Sequence, residues 1–237
     1  MIGDSVIGKY FATRINNEVK TLATIVENKK QNKIKILFKK LKKNPFLAPY
    51  KIFELFYLSL DNRIIARKTN NYFLKYNPKI IGKKYIVNNI NSDKTKEIIR
   101  LLKPDLGVIA GTSIIKQDVI NLFPKGLLNL HTGILPNYRG LRGEFWALYN
   151  KDYNNIGVSI IKIDKNIDSG DIVLQEKIKY NKNDNEFTLR CRNIELGIKL
   201  MIKAVKNIGK LKTKVQKNGD YYSNPSLFEM LKFRLSN

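Results

Sequence analysis

Two motifs place side chains at spacings that suit acid–base and oxyanion chemistry. The run Leu127-Leu128-Asn129-Leu130-His131 closes an apolar stretch. Residues two apart on a strand face the same way, so Asn129 and His131 project together where the strand stops. A carboxamide there can donate to a negative oxygen, and an imidazole can carry a proton near neutral pH. The second motif, Asp164-Lys-Asn-Ile-Asp168-Ser-Gly170-Asp171, sets carboxylates in a tight turn. A carboxylate beside an imidazole orients the ring and favours its charged form, which makes a histidine a working base. Taken singly, each motif has a plainer account: a hydrogen-bonded structural histidine, and the ordinary turn chemistry of Asp-x-Gly.

These groups need a frame, and the hydrophobic pattern supplies one. Leu22–Val26, Tyr85–Ile90, Leu106–Ala110 and Leu127–His131 read as short apolar strands. Between them, Ser92 or Asp93 caps a helix with Ile98, Leu101 and Leu102 on one face, ended by Pro104, and Gln117–Phe123 reads as a second helix. Continuous apolar strands separated by helices predict an α/β chain, a Rossmann-like, doubly wound, mostly parallel sheet with helices on both faces. Ligands of such sheets bind beyond the carboxyl ends of the strands, where Asn129 and His131 fall. Gly157–Ile163 and Ile172–Ile178 read as a strand pair around the Asp164–Asp171 turn, and roughly 186–208 as a long helix. Cys191 lies on that helix's apolar stripe, the place of a core-filling thiol. Met1–Val6 offers little apolar chain for a first strand, so the N-terminus is expected to be short or displaced. The expected organisation is one catalytic domain over 1–208 and a short extension over 209–237, packed on the core or at an interface. Its Tyr221, Tyr222, Leu227, Phe228 and Met230 suit either place, including a homodimer contact.

Composition narrows the partners less. A formal charge of +24, from 44 Lys and Arg against 20 Asp and Glu, favours anionic partners or simply a surface of solvated lysines. One histidine and one cysteine make neither an internal disulfide nor the usual zinc site, so no metal is expected. No apolar run reaches the roughly 18 residues that span a bilayer, and no signal peptide opens the chain, giving a cytoplasmic expectation. Lys33–Lys43 has a basic amphipathic pattern and leads into the apolar stretch Phe46–Leu60. The segment from Lys33 to Leu60 suits either peripheral contact with an anionic membrane or the covering of a core.

The run Asn129-Leu-His131-Thr-Gly133-Ile-Leu-Pro136-Asn-Tyr-Arg139-Gly140, followed by Phe145-Trp146-Ala147, Gly157-Val158-Ser159 and Ile167-Asp168-Ser169-Gly170-Asp171-Ile172, resembles the signature of the folate-dependent formyltransferases. That family includes glycinamide ribonucleotide formyltransferase, methionyl-tRNA formyltransferase and the sugar-nucleotide N-formyltransferases. The similarity is clear over residues 104–180 and faint over the N-terminal third. It implies a catalytic set of Asn129, His131 and Asp168, moving a formyl group from 10-formyltetrahydrofolate to a substrate amine. By the same resemblance Asn129 and protonated His131 stabilise the oxyanion, His131 accepts the amine proton directly or through water, and Asp168 orients His131. The pterin pocket implied is lined by Ala110, Thr112, Ser113, Ile115 and Asp164. Arg139 and Gly140 fall where the family's loop passes the substrate, with Arg139 or Arg142 either gripping a phosphate or standing in solvent.

Three departures bear on the acceptor. Gly133 stands where family members commonly have Ser. Only Gly3-Asp4-Ser5 stands near the glycine-rich phosphate loop of glycinamide ribonucleotide formyltransferase, which disfavours that substrate. The residues after the long helix are too few for the added barrel of methionyl-tRNA formyltransferase, which disfavours a nucleic-acid partner. The acceptor expected is a small-molecule amine, the amino group of a nucleotide-linked sugar for surface polysaccharide synthesis. The alternatives are formyl transfer to another amine, such as methionyl-tRNA or glycinamide ribonucleotide, and a non-catalytic basic module binding nucleic acid or a membrane surface.

Overall fold

The computed structural model describes residues 1–29, 48–217 and 219–235. Its elements run β1 (Ile2–Gly3), α1 (Val6–Glu18), β2 (Thr24–Glu27), α2 (Ala48–Leu74), β3 (Lys84–Val87), α3 (Asp93–Leu102), β4 (Gly107–Ile109), α4 (Gln117–Ile120), β5 (Leu127–His131), β6 (Arg139–Gly140), α5 (Gly143–Tyr149), β7 (Gly157–Lys162), β8 (Ile172–Lys177), α6 (Glu186–Asn207), β9 (Tyr221–Tyr222) and α7 (Leu227–Leu235). β1, β2 and β3 pair in parallel, as do β4 and β5. A parallel bridge between Ile2 and Ala110 joins the two groups, with Gly3 N–H donating to Ala110 O at 3.1 Å and Ala110 N–H to Met1 O at 3.2 Å. The order across the bridge is β3-β2-β1-β4-β5, extended by β7 and β8, which are antiparallel. The mostly parallel sheet is therefore as expected. The first strand is short but not displaced: two residues suffice because Ile2, 1% exposed, sits at the centre of the sheet.

Side chains of successive strand residues leave on opposite faces and build two cores. Val26 and Leu128 pack with Tyr10, Phe11 and Ile15 of α1 and with Cys191, Ile198 and Met201 of α6. Their neighbours Ile25 and Leu127 pack on the other face with Ile98 and Ile99 of α3 and Val119 and Ile120 of α4. Burying one such side chain contributes about 1.5–3 kcal/mol, so the sheet is covered on both faces by the dominant favourable term. In α3, capped by the Ser92 hydroxyl as anticipated, the buried face is Thr95, Ile98 and Ile99, while Leu101 is 83% exposed. Of the expected face, Ile98 and Leu102 pack inward and Leu101 does not; the stripe that meets the sheet runs through Thr95, Ile98, Ile99 and Leu102.

The Lys33–Lys43 segment lies outside the described residues. Of the apolar stretch after it, Ala48–Leu60 is the first half of α2, with Phe53 and Phe56 turned to solvent. Among the described residues no helix is long and apolar enough to cross a membrane. The C-terminal residues return to the body of the molecule: Lys214 pairs with Ile172, β9 pairs with β6, and Leu227 and Met230 of α7 are buried.

Candidate active site

β5 ends at His131, and Asn129 and His131 leave it on one face. The register of β7 sets Ile161 opposite Asn129 and Ser159 opposite His131. The loop after β7 begins beside Leu127, whose carbonyl accepts from Ile163 N–H at 2.8 Å. It curls back across β5, so that Asp168, 39 residues from Asn129 in sequence, stands 3.5 Å from the Asn129 carboxamide. Asp168 Oδ2 is also 3.4 Å from His131 Nδ1 and accepts from Gly140 N–H at 3.1 Å. The left-handed backbone of Asp168, φ 49°, turns its side chain inward, a conformation that Asp tolerates better than most residues.

His131 is 7% exposed, and its Nε2 lies 2.6 Å from the carbonyl oxygen of Tyr138. A carbonyl only accepts, so Nε2 carries a proton in this contact, and Nδ1 faces a carboxylate that also accepts when ionised. The imidazole thus meets both partners as a donor when doubly protonated. Both ring nitrogens are thus engaged by protein partners. Tyr138 is held in turn by its hydroxyl, which donates to Asp152 at 2.8 Å. Burial first, and then that bond, push its phenol far above the usual range, so it stays a neutral donor.

Asn129, His131 and Asp168 open onto a cavity of about 680 Å³. Ala110, Thr112, Ser113, Ile115 and Asp164 all line it, as does Gly140. Apolar walls come from Ile109, Ile161 and Ile163. Among the described residues no backbone hydrogen bond uses the N–H or C=O of Gly111 or Thr112. Apolar walls together with the unpaired peptide groups of Gly111 and Thr112 suit a heterocycle with amide-like edges, and the residues present fit a pterin. Asp164 is turned to its own loop, where it accepts from Ser169 Oγ at 2.7 Å and Asn166 N–H at 3.0 Å. It shapes the wall through that loop.

Both arginines of the loop after Pro136 reach protein groups. Arg139 is not among the cavity-lining residues, and its Nη2 donates to Ile167 O at 2.7 Å, tying β6 to the Asp168 turn. Arg142 lines the cavity but forks onto Glu186, at 2.7 and 2.5 Å, and reaches Asp61 at 3.1 Å. Two carboxylates already engage Arg142, whereas Arg139 makes one side-chain bond, to a neutral carbonyl. Arg190 of α6 also lines the cavity and forms no salt bridge among the described residues.

Sequence reasoning missed three supports. Glu27, 4% exposed, accepts from Ile90 and Ser113 N–H at 2.9 and 2.7 Å and so sets the 110–115 loop. Ser159 donates to Gly133 O at 2.7 Å and accepts from Gln175 at 2.8 Å, fixing the turn after His131. Gln216 reaches the Asp168 turn from the C-terminal segment. A buried acid at a strand end was the one available signal for Glu27; the other two are ordinary polar residues whose partners are remote in sequence. Cys191 is buried as anticipated, and burial pushes its thiol up to about 12.

The profile of the family described as formyl transferase matches residues 65–205. Methionyl-tRNA formyltransferase of Kosmotoga olearia is 39% identical over 121 residues, covering 51% of this chain and 39% of that protein. The same enzyme of Caldicellulosiruptor saccharolyticus is 32% identical over 135 residues, covering 54% and 43%. This chain therefore spans about two fifths of the length of these relatives. Among solved structures, a 4-N formyltransferase from Francisella tularensis is 26% identical with TM-score 0.51, covering 66% of this chain and 62% of that one. Phosphoribosylglycinamide formyltransferase from Anaplasma phagocytophilum shares the fold over 94% of this chain and 96% of its own, at TM-score 0.59 and 14% identity.

Proposed function

The chain belongs to the formyl transferase family, and from that premise we propose that it transfers a formyl group from 10-formyltetrahydrofolate to a primary amine. The observation that carries this reading is the meeting of Asn129, His131 and Asp168 on the wall of the cavity. The folate, when bound, supplies a formyl carbon on nitrogen and departs as tetrahydrofolate. The 110–115 backbone and the isoleucine walls hold its ring and exclude water. Asn129 offers a carboxamide N–H to the oxygen on which charge develops as the amine adds, a preorganised donor of the kind worth about 10²–10³ in turnover. His131, clamped between Tyr138 and Asp168, is held beside that oxygen. Asp168 lines the cavity and is the group left to receive the amine proton, directly or through water, for delivery to the leaving nitrogen.

The acceptor we infer is an amino sugar attached to a nucleotide. Arg190 supports it, as a cation on the wall of the cavity, which Asn62 and Asn70 of α2 also line, side chains whose N–H groups suit phosphate oxygens. The identity to methionyl-tRNA formyltransferases favours a second reading, an aminoacyl-tRNA acceptor. Incubation with 10-formyltetrahydrofolate and either a panel of amino-sugar nucleotides or methionyl-tRNA, with products read by mass, separates the two. Product from methionyl-tRNA alone rejects the sugar reading, and product from neither rejects formyl transfer to these acceptors.

A further inference from the structure

The turn that carries Asp168 is held by a segment beyond the region that the family profile matches, residues 65–205. Lys214 and Ile172 exchange backbone hydrogen bonds at 2.8 and 2.9 Å, and Thr213 Oγ donates to Asp171 at 3.0 Å. Two residues on, Gln216 Nε2 donates to both the Asp168 and the Gly170 carbonyls, at 3.2 and 2.5 Å. A carboxamide nitrogen carries two hydrogens, and here both are used to bridge two carbonyls of one turn. Asp168 is the residue in that turn with φ 49°, and its carboxylate must meet His131 and Gly140 N–H together. The same segment continues into β9, where Asp220 O accepts from Arg139 N–H at 3.2 Å and Tyr222 O from Leu141 N–H at 2.8 Å. One C-terminal strap thus fixes both the donor and the acceptor side of the Asp168–Gly140 bond.

We infer that Gln216 is a positioning residue for Asp168, acting through the backbone of the turn to keep the carboxylate on His131. The kinetic part of this inference rests on the formyl-transfer reading, and the geometric part does not. The test uses the full chain with Gln216→Glu, which keeps the volume but replaces the donor with an acceptor, and Gln216→Asn, which keeps the carboxamide but shortens it. Gln216→Glu lowers kcat about 10-fold or more while KM for both substrates stays within about twofold, because a misplaced catalytic group costs turnover more than binding. Gln216→Asn loses less. On an Asp168→Asn background Gln216→Glu adds little further loss, the non-additivity of residues acting as a unit. His131 is the one histidine of the chain, so its imidazole NMR signals report the contact directly, and they move in Gln216→Glu.

Unchanged kcat, a rise in KM alone, or losses that simply multiply with Asp168→Asn would overturn the assignment. Circular dichroism identifies a variant that fails to fold, and the comparison then rests on the other. Should the unsubstituted chain formylate no acceptor, the formyl-transfer reading falls while the NMR comparison still decides: unmoved His131 signals reject the positioning role.

Discussion

His131 Nε2 and the Tyr138 carbonyl oxygen stand 2.6 Å apart across a turn that leaves no room for a side chain at Gly133. A Cβ there would lie 2.8 Å from both His131 Nε2 and Tyr138 O. A serine at this point is therefore incompatible with the contact as it stands. Gly133→Ser is expected to break it and to lower kcat roughly 10-fold, the scale of one lost buried hydrogen bond. Steady-state kinetics with the His131 ring signals as a parallel readout checks this; an unaltered ring environment would show that the turn accommodates the side chain.

Asn129→Ala removes the carboxamide and leaves β5 in place. Turnover is expected to fall by about 10²–10³ with little change in acceptor KM, since the donor is used where charge develops. A loss confined to KM would mean that Asn129 binds substrate and does not stabilise the reacting oxygen.

Arg142, at φ 57°, joins the active-site loop to α2 and α6 through Asp61 and Glu186, and Arg234 of α7 completes the cluster on Asp61 at 2.6 Å. Arg142→Met strands Glu186 without its cation, and breaking a buried pair from one side costs about 3–5 kcal/mol. Urea unfolding of the variant should show a destabilisation of that order. A change below about 1 kcal/mol would mean that water replaces the guanidinium.

Asp184, at the N-terminal end of α6, is paired with Arg192 at 2.6 Å. Burial works to raise its carboxyl, but Asn181 N–H, Arg192 and the Thr188 hydroxyl outweigh it and hold the group below the usual carboxylate range. A carboxyl depressed in the folded state stabilises the fold above its unfolded value, about 3.9, and that stability is lost as pH falls through the folded value. Asp184→Asn is therefore expected to be less stable than the parent at pH 7, with the gap closing below about pH 4. Chemical denaturation across that range measures it, and a gap independent of pH would point to geometry in place of charge.

Arg190→Ala should raise KM for a phosphate-bearing acceptor at least about 10-fold, as loss of a charge-assisted contact does, and leave KM for the folate unchanged. Equal effects on both substrates would remove Arg190 from the acceptor side.

Much of this architecture was legible beforehand. The limits of β5 and the positions of β7, β8 and α6 follow from apolar runs broken by Gly and Asp, because strand and helix periods are local properties of side-chain burial. α3 shows the limit of that logic: its cap was readable from Ser92, but which of Leu101 and Ile99 turns inward depends on the sheet it meets. Arg142 shows it more sharply, since nothing near it in sequence announces Asp61 or Glu186.

What the sequence alone determined is a pair of candidate groups and the strand end that presents them, since alternation along β5 puts Asn129 and His131 on one face whatever surrounds them. Tertiary structure decided which partners those groups meet. The curl of the loop after β7, the Tyr138 carbonyl on His131 and the Gln216 strap beneath Asp168 are contacts between segments distant along the chain. Such contacts come from chain closure and packing, which no local spacing encodes.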